Sequence, residues 1–372
     1  MNLVDIKTGH LGQLADYTRA LYRAPELRKL FFELTLQCNE RCFHCGSSCA
    51  PGLVGVDDLT RDEWLGIIDQ VKADFDISRM QLCITGGEPL LNHDFFDIMG
   101  YAHEQGFRWG MTSNATLITP EVAQRLAEVG MGTISVSIDG LRETHDELRG
   151  LPGGYDRAMA GIQNLIDMDA FNAIQVTTVV NHGNIDQLDE LFEIMDAIDI
   201  DSWRVINLEP IGRALTRPEL MLTSEDYVRL FEFIREKRRA GYPVEYGCTH
   251  YLGLEYEAEV REWYWLCNAG VYTASIMANG DIGACLDIER RPEVIQGNIR
   301  TDRLRDVWDN RFELFRHDLS ELNADCRECE HARFCRGDAH HSWDYDANQP
   351  LVCFKGTLCH NYKRASTTAL IS

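Results

Sequence analysis

Between Leu30 and about Ala240 the chain repeats one pattern: a short apolar, β-branched run, then a longer stretch whose apolar residues recur every three to four positions. The short runs Leu30–Leu36, Met80–Thr85, Arg108–Ser113, Thr133–Ile138, Ile174–Val180 and Trp203–Leu208 read as strands. The stretches between them read as helices with start signals, such as Thr60 before Arg61–Ala73 and Thr119 before Pro120. Six such repeats predict a parallel sheet, and six are too few to close an eight-stranded barrel. The expected fold class is therefore α/β, a partial (β/α)6 barrel whose working end lies at the C-terminal ends of the strands. Ser224–Ala240 reads as a further helix. After Cys267 the pattern shortens to hairpin-like pieces, Tyr272–Met277 and Asp281–Cys285 around the turn Asn279-Gly280. The expected organisation is an N-terminal extension (1–27), the barrel (28–215), a helical connector (216–265) and a cysteine-rich domain (266–372).

Composition narrows the partners. A net charge of −23 over 372 residues repels phosphate backbones and anionic membrane faces, so neither nucleic acid nor membrane is an expected partner. No apolar run approaches a membrane span and the first twenty residues lack signal-peptide features, which predicts a cytoplasmic protein. In that compartment thirteen cysteines favour metal ligation over disulfides. They fall into two groups, Cys38 to Cys49 and Cys248 to Cys359, with Cys83 alone between them.

The segment Cys38-Asn-Glu-Arg-Cys42-Phe-His-Cys45 follows the first strand and places three thiolates on one loop. Three sulfurs can hold three irons of a [4Fe-4S] cubane and leave the fourth open to a ligand. Zinc, with His44 or Cys49 as fourth ligand, fits the same spacing. The second strand ends in Gly86-Gly87-Glu88-Pro89, where glycines permit close backbone approach. Backbone groups there can hold an amino-acid moiety; a simple turn before a helix is the plainer reading of these four residues alone.

Together and in this order, the two motifs closely resemble the radical SAM superfamily over about residues 28–215. The resemblance implies that S-adenosyl-L-methionine chelates the open iron, that Gly86, Gly87, Glu88 and Pro89 line its methionine portion, and that cluster reduction yields a 5′-deoxyadenosyl radical. Thr112–Leu117 resembles the family's strand-three turn and contributes Asn114, with Ala115 where glycine is usual, so the local backbone is expected to differ. Ser135–Gly140 resembles the strand-four end, making Ser137 and Asp139 cofactor contacts. Val180-Asn181 and Pro210–Ala214 resemble segments near adenine and bring in Val180, Gly212 and Arg213. An ordinary strand-end turn is the alternative at each.

The later cysteines resemble the SPASM domain, which binds auxiliary iron–sulfur clusters. Cys267, Gly280 and Cys285 fit its opening; Cys326, Cys329, Cys335 and Cys353 fit its close, with Ala339 where a further cysteine is usual. A zinc knuckle is the alternative for the last four. The resemblance implies two [4Fe-4S] clusters, on Cys38/Cys42/Cys45 and on Cys326/Cys329/Cys335/Cys353. A third, on Cys267 and Cys285, needs help from Cys248, Cys359, His340 or Asp338. Cys49 reads as structural and Cys83 as a small core residue of its strand.

The implied function is a maturase that reductively cleaves S-adenosylmethionine and abstracts hydrogen from a peptide or peptide-like substrate, with a flavodoxin or ferredoxin as reductant. Fewer than thirty residues precede the first strand, where many peptide-acting relatives carry a leader-binding segment. This raises the alternative of a small-molecule precursor of tetrapyrrole or aminoglycoside type, and Cys335 to Cys353 resembles the tail of haem-pathway relatives. The alternative of another class is a non-catalytic iron–sulfur electron-transfer protein. No residue identifies itself as a catalytic acid or base.

Overall fold

The structure is a computed structural model that describes residues 3–353 apart from 54, 56, 248, 249 and 263. The chain forms two compact units: a barrel unit of Leu21–Met221 with Asn268–His317, and a C-terminal unit of Met1–Ala20, Leu222–Cys267 and Asp318–Ser372.

In the barrel unit the six expected strands appear as β1 (Lys29–Glu33), β2 (Gln81–Thr85), β3 (Arg108–Ser113), β4 (Met131–Ser137), β5 (Ala173–Val180) and β6 (Ser202–Asn207). Each pairs in parallel with the next. Alternate residues point to opposite faces of a strand, and here the faces differ in kind. Leu30, Phe32, Leu82, Ile84, Ile134, Val136, Val176 and Val205 are buried on the helix side. Phe32, for example, meets Trp64 of the helix Arg61–Asp74 at 4.9 Å. Each large side chain so buried contributes roughly 2–3 kcal/mol, so this layer holds the sheet. The other face is polar: Gln81 bonds Thr133, Ser135 bonds Thr177, and Gln175 bonds Ser202. Cys83, expected in the core, lies half-buried on this polar face, two residues from Gln81.

The expected helix starts also hold. Thr60 accepts from Glu63 N while its own N–H donates to the Glu63 carboxylate, and Thr119 caps the helix Pro120–Glu128. Such caps satisfy backbone donors that a helix leaves unpaired.

The barrel sheet does not end with β6. Thr273–Ile276 pairs in parallel with the free side of β1, and Asp281–Gly283 and Gly297–Asn298 continue the sheet antiparallel. Residues 268–317 therefore add strands to the barrel sheet beside β1.

In the C-terminal unit the helix Ser224–Arg239 starts at a Thr223/Asp226 capping box, and its Phe231 packs edge-on against Tyr246 at 5.0 Å. Most of the expected N-terminal extension is the helix Leu3–Arg23, and Arg333 reaches its Asp16 and Gly12 carbonyl. Short helices at Ala324–Arg327 and Ala332–Cys335 carry the cysteine-rich turns.

Candidate functional site

The loop after β1 is tied down at every point where it carries a cysteine. Cys38 N–H donates to Ala50 O, closing the loop on itself. Arg41 and Phe43 donate to Arg149 O and Leu148 O, the last carbonyls of the helix Arg142–Arg149. Arg213 N–H donates to Cys45 O, and its Nε to Cys42 O at 2.7 Å. Gly212 (φ +56°) must be glycine here, since a Cβ would lie 2.3 Å from Gly46 O.

A buried ion network braces the same loop from below. Arg149 donates to Glu40 at 2.8 Å and to Asp139 through Nε at 2.8 Å and Nη2 at 2.7 Å. His44 Nε2 lies 3.0 Å from the same Asp139 oxygen, and the other oxygen accepts from Val179 N–H. Burial opposes ionisation of Asp139, but Arg149, His44 and His145 hold its carboxyl well below the usual range. Desolvation lowers His145 to about 4, and its Nδ1 accepts from Asp139 N–H as a neutral ring would.

The expected Gly86–Pro89 segment packs directly against this loop. Gly87 N–H donates to Thr35 O and Glu88 N–H to Gln37 O. A Cβ on Gly86 would lie 2.3 Å from Thr35 O, and one on Gly87 2.1 Å from Gln37 O, so only glycine allows the approach. Pro89 and Glu88 are buried; Glu88 accepts from Ser113 Oγ, Asn114 N–H and Leu90 N–H. Burial raises its pKa to about 7.

The thiols of the loop are close enough that an ionised Cys45 raises both Cys38 and Cys42. Burial pushes Cys38 to about 11 and Cys42 far up, and Cys45 adds to both. Cys45 itself is lowered, because the Cys49 thiol donates to it. Gathered thiols whose burial resists ionisation are what a cluster's irons stabilise as thiolates, so the donor set fits a [4Fe-4S] group.

Two of the expected cofactor contacts are engaged inside the protein. Asp139 commits both carboxylate oxygens inside the protein, bracing the loop instead of facing a ligand. Val180 turns its side chain to the helix layer and gives its carbonyl to Leu208 N–H; Val179 is the half-buried neighbour on the inner face. Gly212 and Arg213 serve the cluster loop, as above. Ser137 stands half-buried at the end of β4, while Asn114 donates to Asn39 Oδ1 at 2.7 Å. Ala115 takes the left-handed conformation (φ +57°) that glycine adopts without strain. The sequence reading missed Glu40 and Arg149, and it took Cys49 as merely structural. A charged residue between two cysteines of a metal loop is the signal that Glu40 offered.

In the C-terminal unit Cys326, Cys329, Cys335 and Cys353 line one cavity with Tyr251, His331 and Asp338. Asn323 caps the first short helix by accepting from Cys326 N–H, and Arg336, Gly337 and Asp338 all have positive φ, turning the chain back after Cys335. A Cβ on Gly337 would lie 2.5 Å from Ser320 N. Burial raises Cys326 to about 11 and Cys335 far up, with neighbouring thiolates adding to both. Four converging thiols fit a second cluster. Asp338 accepts from His250 Nδ1 and Tyr251 N–H, and His340 bonds Tyr345. Cys267 packs against the cluster of Tyr251, Trp265 and Ala339 in the C-terminal unit, whereas Cys285 lies in the barrel unit with Sγ 3.8 Å from Asp287. Cys248 and Cys359 lie outside the described residues. Among the described residues no helix is long and apolar enough to cross a membrane.

Residues 32–195 match the model of the radical SAM superfamily, and residues 267–330 that of an iron–sulfur cluster-binding domain, SPASM. An AdoMet-dependent heme synthase of Methanosarcina barkeri is 30% identical over 90% of this chain and 98% of its own length. The mycofactocin maturase MftC of Mycolicibacterium smegmatis is 33% identical over 83% of this chain and 76% of its own. Among solved structures, anSMEcpe with bound AdoMet and the Cp18Cys peptide superposes with a TM-score of 0.70 at 18% identity, over 90% of this chain and 94% of that one, a likeness of fold. The thiol loop, the glycine-lined strand end packed on it and these relatives agree: the chain is an enzyme of the radical SAM superfamily with a SPASM domain, using [4Fe-4S] clusters and S-adenosylmethionine.

Proposed function

We propose that this enzyme acts on a tetrapyrrole precursor, as the heme synthases' name implies for them. The observation that carries this is the extent of the alignment, which covers 98% of the M. barkeri synthase and 90% of this chain. Peptide chemistry is the second reading, favoured by the 33% identity to the mycofactocin maturase. Cys38, Cys42 and Cys45 would hold the cluster, which with S-adenosylmethionine would supply the radical chemistry for hydrogen abstraction. The chain's own residues do the positioning. Arg149 and Arg213 fix the loop, Gly86 to Pro89 would hold the methionine portion, and the half-buried Ser137 offers a hydroxyl to the cofactor. The four thiols of the C-terminal unit would hold the auxiliary cluster, and a flavodoxin or ferredoxin is the reductant this reading needs.

The test is anaerobic turnover of the reconstituted, dithionite-reduced protein with and without iron coproporphyrin III, a porphyrin carrying propionate side chains. Porphyrin should raise 5′-deoxyadenosine formation and be converted. The Cys38/Cys42/Cys45→Ala variant should form none. An unreactive porphyrin, with stimulation by a peptide instead, would overturn the tetrapyrrole reading in favour of the second.

A further inference from the structure

The polar inner face of the barrel sheet contains a cation that neither the cluster loop nor the Gly86–Pro89 segment uses. Arg204, half-buried in β6, donates Nε to Thr177 Oγ1 at 3.1 Å, and Thr177 Oγ1 is held in turn by Ser135 Oγ at 2.7 Å. These bonds orient the guanidinium, and among the described residues it forms no ion pair. Its neighbours on that face of β4 and β5, Thr133, Ser135, Gln175 and Thr177, are uncharged. The carboxylate of β1, Glu33, is committed to Arg290 and to Ala278 N–H. Arg204 and Lys29 together favour the charged form of the Cys83 thiol against its burial, so the positive potential reaches across the face to β2.

A partly desolvated guanidinium without a counter-ion is costly to keep. Its fork of N–H donors matches a carboxylate in bidentate geometry, a fit that lysine cannot reproduce. We propose that Arg204 anchors a carboxylate of the substrate through its two Nη groups, which makes the substrate class an organic carboxylate bound against the inner face. The inference rests on the reading that a substrate enters the barrel. The shared chemistry has two sources, a porphyrin propionate or a peptide's terminal carboxyl group.

The experiment measures equilibrium binding to reconstituted full-length wild type, Arg204→Gln and Arg204→Lys, with iron content as the check on folding. One arm compares iron coproporphyrin III with its tetramethyl ester; the other compares Ala-Ala-Phe with its C-terminal amide. In one arm the wild type should prefer the free acid by about tenfold or more, the range of a hydrogen-bonded charge pair. Arg204→Gln should lose that preference by weakening only the acid, and Arg204→Lys should retain part of it. If Arg204→Gln fails to accumulate, the partial loss in Arg204→Lys reads the same discrimination. No acid preference in either arm, or Arg204→Gln binding the acid like wild type, overturns the inference. Preference confined to the peptide arm keeps the anchor and removes the tetrapyrrole reading. Equal turnover of the porphyrin by wild type and Arg204→Gln keeps that reading and removes the anchor.

Discussion

The barrel unit gathers its thiols on one short loop and braces that loop with charge, whereas the C-terminal unit draws four thiols from separate turns and braces them with backbone geometry. In the first, Arg149 binds Glu40 and Asp139 under the loop, and helix-end carbonyls hold its backbone. In the second, an Asn323 cap and three consecutive positive-φ residues bring Cys326, Cys329, Cys335 and Cys353 to one cavity. The difference follows from sequence spacing. A compact loop closes at little entropic cost but has no core of its own, so buried ion pairs supply its shape. Thiols spread over several turns instead need the chain to reverse, which left-handed residues do.

The comparison breaks first at Arg149. Replacing it by Ala strands two buried carboxylates, and loss of one partner of such a network costs about 3–5 kcal/mol. Urea unfolding of the apoprotein should show that loss; wild-type stability would mean the charges do not brace the loop.

Next come the paired glycines. Gly87→Ala drives a methyl into Gln37 O, beside the first cysteine loop, while Gly337→Ala drives one toward Ser320 N. Each should remove about four irons per chain, one cubane's complement. Only Gly87→Ala should abolish formation of 5′-deoxyadenosine without substrate. Equal loss of that activity in both variants would contradict a division of labour between the two sites.

A smaller effect is expected from pH. Burial raises the Glu88 pKa from the usual carboxylate value to about 7. The unfolded chain therefore releases this proton first, and Glu88 makes the folded apoprotein less stable as pH rises from about 4.5 to 7. The stability it contributes is fully present below that window and gone above it. Glu88→Gln should flatten this part of the urea midpoint's pH profile; an unchanged slope would remove Glu88 as its source.

The smallest expected effects are the capping boxes. Thr60→Ala and Thr223→Ala should each cost about 1 kcal/mol. Hydrogen exchange should locate the first loss in the helix Arg61–Asp74 and the second in Ser224–Arg239. Loss in the opposite helix would show that the units do not respond separately.

Legibility followed the range of the interactions. All six strands were readable because alternation and β-branched runs are local, and so were Thr60 and Thr119, whose caps span three residues. The same alternation should have sent Val180 to the helix layer, since it shares the parity of buried Val176. Arg149 was not readable. Its partner Glu40 lies 109 residues away, and nothing local distinguishes a helix-end arginine that bridges buried acids from one in solvent.

By itself the sequence determined the elements, the three-cysteine loop with its glycine-lined neighbour, and the four later cysteines that line one cavity, because spacing and periodicity act within a few residues. Only the tertiary structure decided that residues 268–317 add strands to the barrel sheet, that Asp139 and Arg213 brace a loop, and that Arg204 has no ion-pair partner among the described residues. Those facts depend on which strand finds which edge and which charge is buried beside which. Such pairings are settled by desolvation and packing across the fold, and they leave no mark on the neighbouring sequence.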